Sequence, residues 1–365
     1  MKNNKKIYEN PILYLIIFII GLGTVLMYSA SSTVGINKFN HYAFYLNKHL
    51  VRLIISIFAF FIVYNINFRW LKKYSYELLF LSWVIIIWAY LFNENVSTKR
   101  WLNLFGKNIF TTSDFARISL IIFTANYIES NKKNINNLKL LFLNYLPYFT
   151  ISVLLIFFQP DLSTSFAISL IIVSMLIIAG LNIKHLIFPL FLSITCVIIK
   201  IYNTPFQLKR FMNWYSGNYN IQTENSIQAL GNGGVFGVGI GKSIIKDGFM
   251  PEVHTDFILP IIGEEIGFVG IVFIFTFYLI LYFYGIKICK NAPDIFSSML
   301  SFGISINILY YFLINASYVV GIFPTTGLPI PFISYGGSQM LFSLISIGIL
   351  LNISRYTNIY KYNSL

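Results

Sequence analysis

The chain has 365 residues, 56% of them hydrophobic, 18% aromatic and 11% charged, with a net charge of +13 and a mean hydropathy of +0.70. That balance excludes a soluble globular enzyme, and continuous apolar runs without period-2 alternation exclude a β-barrel. What remains is an all-α polytopic membrane protein, because helices satisfy their own backbone groups in lipid. The two cysteines, Cys196 and Cys289, lie in an apolar run and beside a short basic loop, so neither a disulfide framework nor a metal cluster is expected.

Apolar runs of about 20 residues, the length that crosses a hydrocarbon core, recur from end to end. The first, Pro11 to Ser31, ends on a small-residue triplet resembling a cleavage site, Ser29-Ala30-Ser31. Its apolar core from Ile12 to Met27 exceeds that of a signal peptide, so it is expected to be retained. Next come Leu50 to Asn67, Tyr76 to Phe92, Phe110 to Ile128 and Leu141 to Phe158. Leu162 to Leu181, His185 to Tyr202, Phe257 to Ile286, Phe296 to Phe323 and Phe332 to Ser354 complete about ten helices. The whole of 1–365 therefore reads as one integral membrane domain.

Lys2, Lys5 and Lys6, then Arg69, Lys72 and Lys73, Lys132, Lys133 and Lys139, Lys184, Lys287 and Lys290, and finally Arg355 and Lys361 fall on one side of ten spans. The positive-inside rule makes that side cytoplasmic, with both termini inside. The large connection between helices 7 and 8, about residues 203–250, is then extracytoplasmic. Lys99, Arg100, Lys107, Lys209, Arg210, Lys242 and Lys246 lie on the outer side against the usual bias, and each asks for an anionic partner. The cations are topogenic or matched to such partners; nucleic acid is not an expected ligand.

The chain is organised around Phe249 to Glu265, which gathers Glu252, His254, Asp256, Glu264 and Glu265 and runs straight into an apolar helix. A carboxylate at membrane depth lacks hydration and needs a function or a partner. Asp256, at the junction of loop and helix, is the first candidate. His254 reads equally as a structural hydrogen-bonding histidine, and at least one of Glu264 and Glu265 is expected to pair with a buried cation or cap broken backbone. Pro260 favours a helix that begins there rather than at Asp256. The glycine-rich Gly231 to Ser243 is not a nucleotide loop, because Phe236 stands where the leading glycine should be. Its glycines are expected to allow close backbone approach and left-handed turns. A second breaker cluster, Phe323 to Ser338, implies a broken or re-entrant segment, read here as lining a wet cavity.

Met250-Pro-Glu-Val-His-Thr-Asp-Phe257, Gly263-Glu-Glu-Ile-Gly267 and Pro331-Phe-Ile-Ser-Tyr-Gly-Gly-Ser338 together resemble the SEDS family (shape, elongation, division and sporulation), whose branches include FtsW and RodA. Lys99-Arg-Trp101, Thr112 to Arg117, Gln159 to Thr164 and Gln228 to Gly234 are similar to further motifs of that family in the same order. The likeness covers nearly the entire chain. It departs at Asp114 for glutamate, Arg117 for lysine, Lys48 for arginine and His49 for glutamine, each keeping polarity but changing hydrogen-bond geometry.

The resemblance implies a peptidoglycan glycosyltransferase that polymerises lipid II at the outer face of the bacterial cytoplasmic membrane. It implies work beside a class B penicillin-binding transpeptidase and other membrane proteins of the division complex. Asp256 falls on the family's catalytic aspartate. Substrate binding is implied for Lys48, Lys99, Arg100, Trp101, Asp114, Arg117, Gln159, Asp161, Glu252, His254, Thr255, Glu265, Ser334, Tyr335, Gly336 and Gly337. A divalent cation, Mg or Mn, is a reasonable addition at the pyrophosphate, its ligands unknown, and no organic cofactor is expected. Tyr28 to Ser32 and Ile262 to Glu265 favour the FtsW branch, whereas Gly327 to Pro331 is closer to RodA, an elongation polymerase. Two other readings stand beside the enzyme. A lipid II flippase would need a polar path on the cytoplasmic side as well, and a scaffold for the transpeptidase would need neither Asp256 nor Arg100.

Overall fold

The computed structural model describes residues 9–92, 99–104, 107–159, 161–246 and 253–363. The chain opens with α1 (Glu9–Phe39), α2 (Phe44–Asn65), a short α3 (Arg69–Lys73) and α4 (Ser75–Phe92). A hairpin of β1 (Trp101–Leu104) and β2 (Lys107–Thr111), pairing Trp101 with Thr111, then feeds α5 (Thr112–Ser130). After α6 (Leu138–Asn144) and α7 (Leu146–Phe158) come α8 (Leu162–Ile178) and α9 (Lys184–Asn203). The long connection holds α10 (Pro205–Tyr215) and α11 (Ile221–Gly233), and the chain ends with α12 (Ile258–Lys290), α13 (Ile295–Val319) and α14 (Gly337–Asn363).

Every expected apolar run lies mostly in helix, with corrections at the edges: Leu141 to Phe158 is split between α6 and α7, the run from Phe296 ends as helix at Val319, and the run from Phe332 becomes helical only at Gly337. Phe110 is not helical but lies in β2, because Trp101 to Leu104 finds an antiparallel partner before α5 begins. Among the described residues six helices are long and apolar enough to cross a membrane, or seven when α6 and α7, bent by 43°, count as one span. α5 carries Asp114, Arg117 and Glu129 and is shielded by protein rather than lipid, with nearly its whole length buried. It packs with α13 and α14 at the centre of the bundle, whereas α2 and α4 present Ile54, Phe58, Val84 and Trp88 outwards. Within their apolar windows 83% of α14 is buried but only 17% of α2, which separates core helices from lipid-facing ones.

α12 is interrupted at Gly267, whose φ of 79° and ψ of −173° break the helical ladder. The glycine loop after α11 repairs that break. Val238 and Gly239 donate to the carbonyls of Glu264 and Glu265 at 2.9 Å each, while Phe268 and Val269 donate to Gly234 and Val235 at 3.0 and 3.2 Å. These are the four groups that the helix bonds 268 to 264 and 269 to 265 would otherwise have paired, and leaving them bare in an apolar setting would cost several kcal/mol, on the order of 1–3 each. Backbones must nearly touch for this. A Cβ at Gly237 would collide with the Glu265 carbonyl, and one at Gly267 with Val235 and Gly237.

Candidate active site

Asp256 closes the turn that leads into α12, which begins at Ile258 with Pro260 in its first turn, where a missing N–H costs nothing. The helix thus starts slightly before Pro260 and after Asp256. The Asp256 carbonyl accepts from Tyr318 Oη at 2.6 Å and Asn315 Nδ2 at 2.9 Å, both on α13. Asn315 also donates to the Leu328 carbonyl at 2.7 Å, tying the same point to the 320–336 segment. The half-buried carboxylate accepts the Thr255 hydroxyl on Oδ1 at 2.6 Å. Its Oδ2 faces Gly327, where a Cβ would stand 3.4 Å away. Arg210 of α10 reaches this place too, donating from Nη1 to the Thr325 carbonyl at 2.9 Å. Burial pulls Arg210 below the ordinary arginine range, and the charge of Asp256 opposes that pull.

A second polar cluster gathers where α5 and α8 begin. Asp114 pairs with Arg117 at 3.1 Å, one turn along α5, and accepts the Thr111 hydroxyl. Arg117 also donates to Gln339 at 3.2 Å and lies over the Tyr311 ring at 4.1 Å. Asp161 caps α8 through the Thr164 amide at 3.2 Å and accepts the Ser113 hydroxyl at 3.0 Å. Gln159 accepts from Thr112 and donates to the carbonyls of Ile86 and Lys99, so it fastens α4, α5 and the hairpin entrance together. Buried Nε of Arg100, and Nε and Nη1 of Arg117, have no hydrogen-bond partner among the described residues. Ser163, two residues past Asp161, donates to the Thr326 carbonyl at 2.7 Å. The segment 325–327 therefore lies between the α8 terminus and Asp256.

His254 and Tyr335 form a third group. Tyr335 donates its amide to the His254 carbonyl at 2.8 Å, and the His254 ring packs against Tyr45 and Tyr335 with centroids at 4.2 and 5.2 Å. Arg52 lies over the Tyr335 ring at 4.9 Å and against Gly337. Ser334 accepts the Ile330 amide at 2.8 Å, and Gly336 supplies a carbonyl to Met340, so both shape the entry to α14. Burial, aided by the charge of Lys38, lowers His254 to about 4. It is therefore neutral at pH 7 and poorly suited to take a proton there. The unfolded chain protonates this ring below its ordinary value near 6.5, the folded chain only near 4, so stability should fall as pH drops through that window, by up to about 3 kcal/mol. Melting temperatures of the wild type and His254→Phe across pH 4 to 7 check this: the variant should lose that part of the acid sensitivity.

Glu264 and Glu265 point elsewhere. Glu265 accepts from Lys246 at 3.0 Å and from Ser29 on both oxygens, while Glu264 accepts Ser243 and Asn232. The expected pairing with a buried cation is present, and the oxygens of Glu265, expected to meet substrate, are engaged by protein. Lys48 is exposed and sits over the Phe44 ring, and Lys99 sits over Tyr90. Trp101 is half-buried at the start of β1. Glu252 lies outside the described residues. The cavity expected along the whole 323–338 segment is not its setting throughout, since Leu328, Ile330, Phe332, Ile333 and Ser334 are buried in protein, while 322–327, Pro329 and Tyr335 to Gly337 stay partly open. No three His, Cys, Asp or Glu residues converge as a metal site among the described residues. A divalent ion would thus need substrate phosphates beside one or two carboxylates, the usual setting for Mg.

Arg52 and Arg210 were absent from the residues singled out as site candidates. Arg52 falls inside an apolar run, where any arginine should mark function or a buried partner. Arg210 is one of the outer cations, and only folding shows that it fastens the segment beside Asp256.

The fold and these clusters define a polytopic helical membrane protein whose ionisable residues gather where irregular segments enter the bundle. Residues 10–359 match the model of the FtsW/RodA/SpoVE family, described as cell cycle proteins, and the chain belongs to that family. It is 32% identical over 355 residues to the probable peptidoglycan glycosyltransferase FtsW of Trichlorobacter lovleyi, covering 95% of this chain and 93% of that one. It is 29% identical to stage V sporulation protein E of Bacillus subtilis, covering 95% and 98%. The fold is similar to a chain from a peptidoglycan synthase complex described as coordinating polymerization and crosslinking, with a TM-score of 0.78, 20% identity and coverage of 96% and 98%. It is also similar to the rod shape determining protein RodA of Thermus thermophilus, with a TM-score of 0.71, 22% identity and coverage of 96% and 97%.

Proposed function

We propose that this protein is a peptidoglycan glycosyltransferase that joins lipid II units into glycan strands at the outer face of the bacterial cytoplasmic membrane. The observation that carries this is a half-buried carboxylate, Asp256, held by the Thr255 hydroxyl at the mouth of a broken span, beside a segment that Arg210 fastens. An acceptor sugar hydroxyl attacks the donor's anomeric carbon while Asp256 accepts the hydroxyl proton. The bond to the lipid pyrophosphate breaks, and that group departs as an anion, so no second carboxylic acid is needed. Arg100 Nε and Arg117 Nε and Nη1, without a hydrogen-bond partner among the described residues, are donors suited to its oxygens. A divalent cation, Mg or Mn, would be held by one carboxylate and the pyrophosphate together and would supply further neutralisation of the leaving group.

The partner of this reading is a class B penicillin-binding transpeptidase within the division complex, consistent with FtsW-named relatives. The purified pair in liposomes with fluorescent lipid II tests it. Long glycan strands are the expected product. Transbilayer movement of lipid II with no strands from active-site-intact protein would instead make it a transporter.

A further inference from the structure

Resting on that reading of Asp256 as the base, we propose that Arg210 is a positioning residue for the reaction: from α10 it fixes the 325–327 segment that backs the Asp256 carboxylate. Three observations converge on it. First, α10 is stitched to the irregular segment before α14 at two points, Trp214 Nε1 to the Gly321 carbonyl at 3.0 Å and Arg210 Nη1 to the Thr325 carbonyl at 2.9 Å. Residues 210 and 214 are one helical turn apart and share a face, while Met212 and Tyr215 stay exposed, at 54% and 77%.

Second, the segment so held ends at Asp256. Gly327, with φ of 74°, brings its backbone against Asp256 Oδ2, and Ser163 fastens Thr326 from the α8 side. Any slack in 325–327 therefore becomes slack around the carboxylate. Third, Arg210 and Asp256 act on each other electrostatically, and Tyr318 of α13 acts on both. Tyr318 and Asn315 grip the Asp256 backbone carbonyl, and Thr255 donates to the carboxylate. A guanidinium suits the task, because its planar fork of five donors can hold a carbonyl in a fixed direction while keeping its charge. The adjacent Lys209 is exposed and shares neither contact.

The test uses the full-length protein with its transpeptidase and follows the initial rate of strand formation from fluorescent lipid II as separate kcat and KM values. Arg210→Gln should lower kcat at least about tenfold and change KM by less than about twofold, as expected for slack around a group that acts in the transition state. Arg210→Lys should give an intermediate kcat, and Lys209→Gln should match the wild type. An unchanged kcat in Arg210→Gln, or a loss confined to KM, overturns the proposal. Where Arg210→Gln does not fold, Arg210→Lys decides, because a wild-type kcat there contradicts it. Asp256→Asn separates the two levels: strands from that variant would remove the base itself, whereas an inactive Asp256→Asn beside a wild-type kcat in Arg210→Gln removes only the part given to Arg210.

Discussion

Lys246→Met is expected to destabilise the folded protein by about 3–5 kcal/mol, the cost of stranding one partner of a buried ion pair. Lys246 is 5% exposed and Glu265 1%, at 3.0 Å from each other. The ammonium also donates to the Gly241 carbonyl at 2.7 Å, so it ties the glycine loop to α12, and Ser29 brings in α1. Without the lysine, Glu265 keeps, among the described residues, the Ser29 hydroxyl beside an already broken helix. The double variant Lys246→Met with Glu265→Gln should recover much of the loss, since it removes the uncompensated charge together with its partner. Thermal unfolding in detergent, followed by loss of the monodisperse elution peak, checks both: the single variant should melt well below the wild type and the double variant between them. Equal melting of the single variant and the wild type would show that the pair contributes nothing.

The larger effect on chemistry is expected at Asp256. An amide in its place keeps shape and one acceptor oxygen but cannot take a proton from a sugar hydroxyl, and general-base assistance contributes about 10²–10⁴-fold. Asp256→Asn should therefore reduce the initial rate of strand formation by that factor. The backbone carbonyl that Tyr318 and Asn315 hold is untouched by the change, so the α12–α13 junction and overall stability should persist. A loss in rate without a loss in melting temperature is the signature expected.

Much of this architecture was legible in the chain because hydrocarbon imposes long apolar runs, and each of those runs lies mostly in helix. The glycines of 231–241 announced close backbone approach. What they approach was not legible, because Glu265-Ile-Gly267-Phe continues an apolar run, and one glycine within it gives no sign that the helix breaks there. The hairpin before α5 was lost for a related reason: Ile109 and Phe110 extend the apolar run of α5, and strand pairing depends on Trp101 across the turn. The Asp114–Arg117 contact is local, three residues apart, and could be read from spacing alone. The meeting of Arg210 with the Thr325 carbonyl beside Asp256, like that of Lys246 with Ser29, needs elements brought together by the whole bundle, which no periodicity encodes. Glu265 shows the opposite difficulty, since a carboxylate expected to face substrate spends its oxygens on folding.

The most direct measurement compares wild-type and Asp256→Asn proteins, each purified with its transpeptidase partner, for glycan strands made from lipid II and resolved by length. Strands from the wild type and none from a variant that still co-elutes with its partner are predicted. Strands of equal yield from both would mean that a proton leaves the acceptor sugar by some other group, and Asp256 would lose its role as the base.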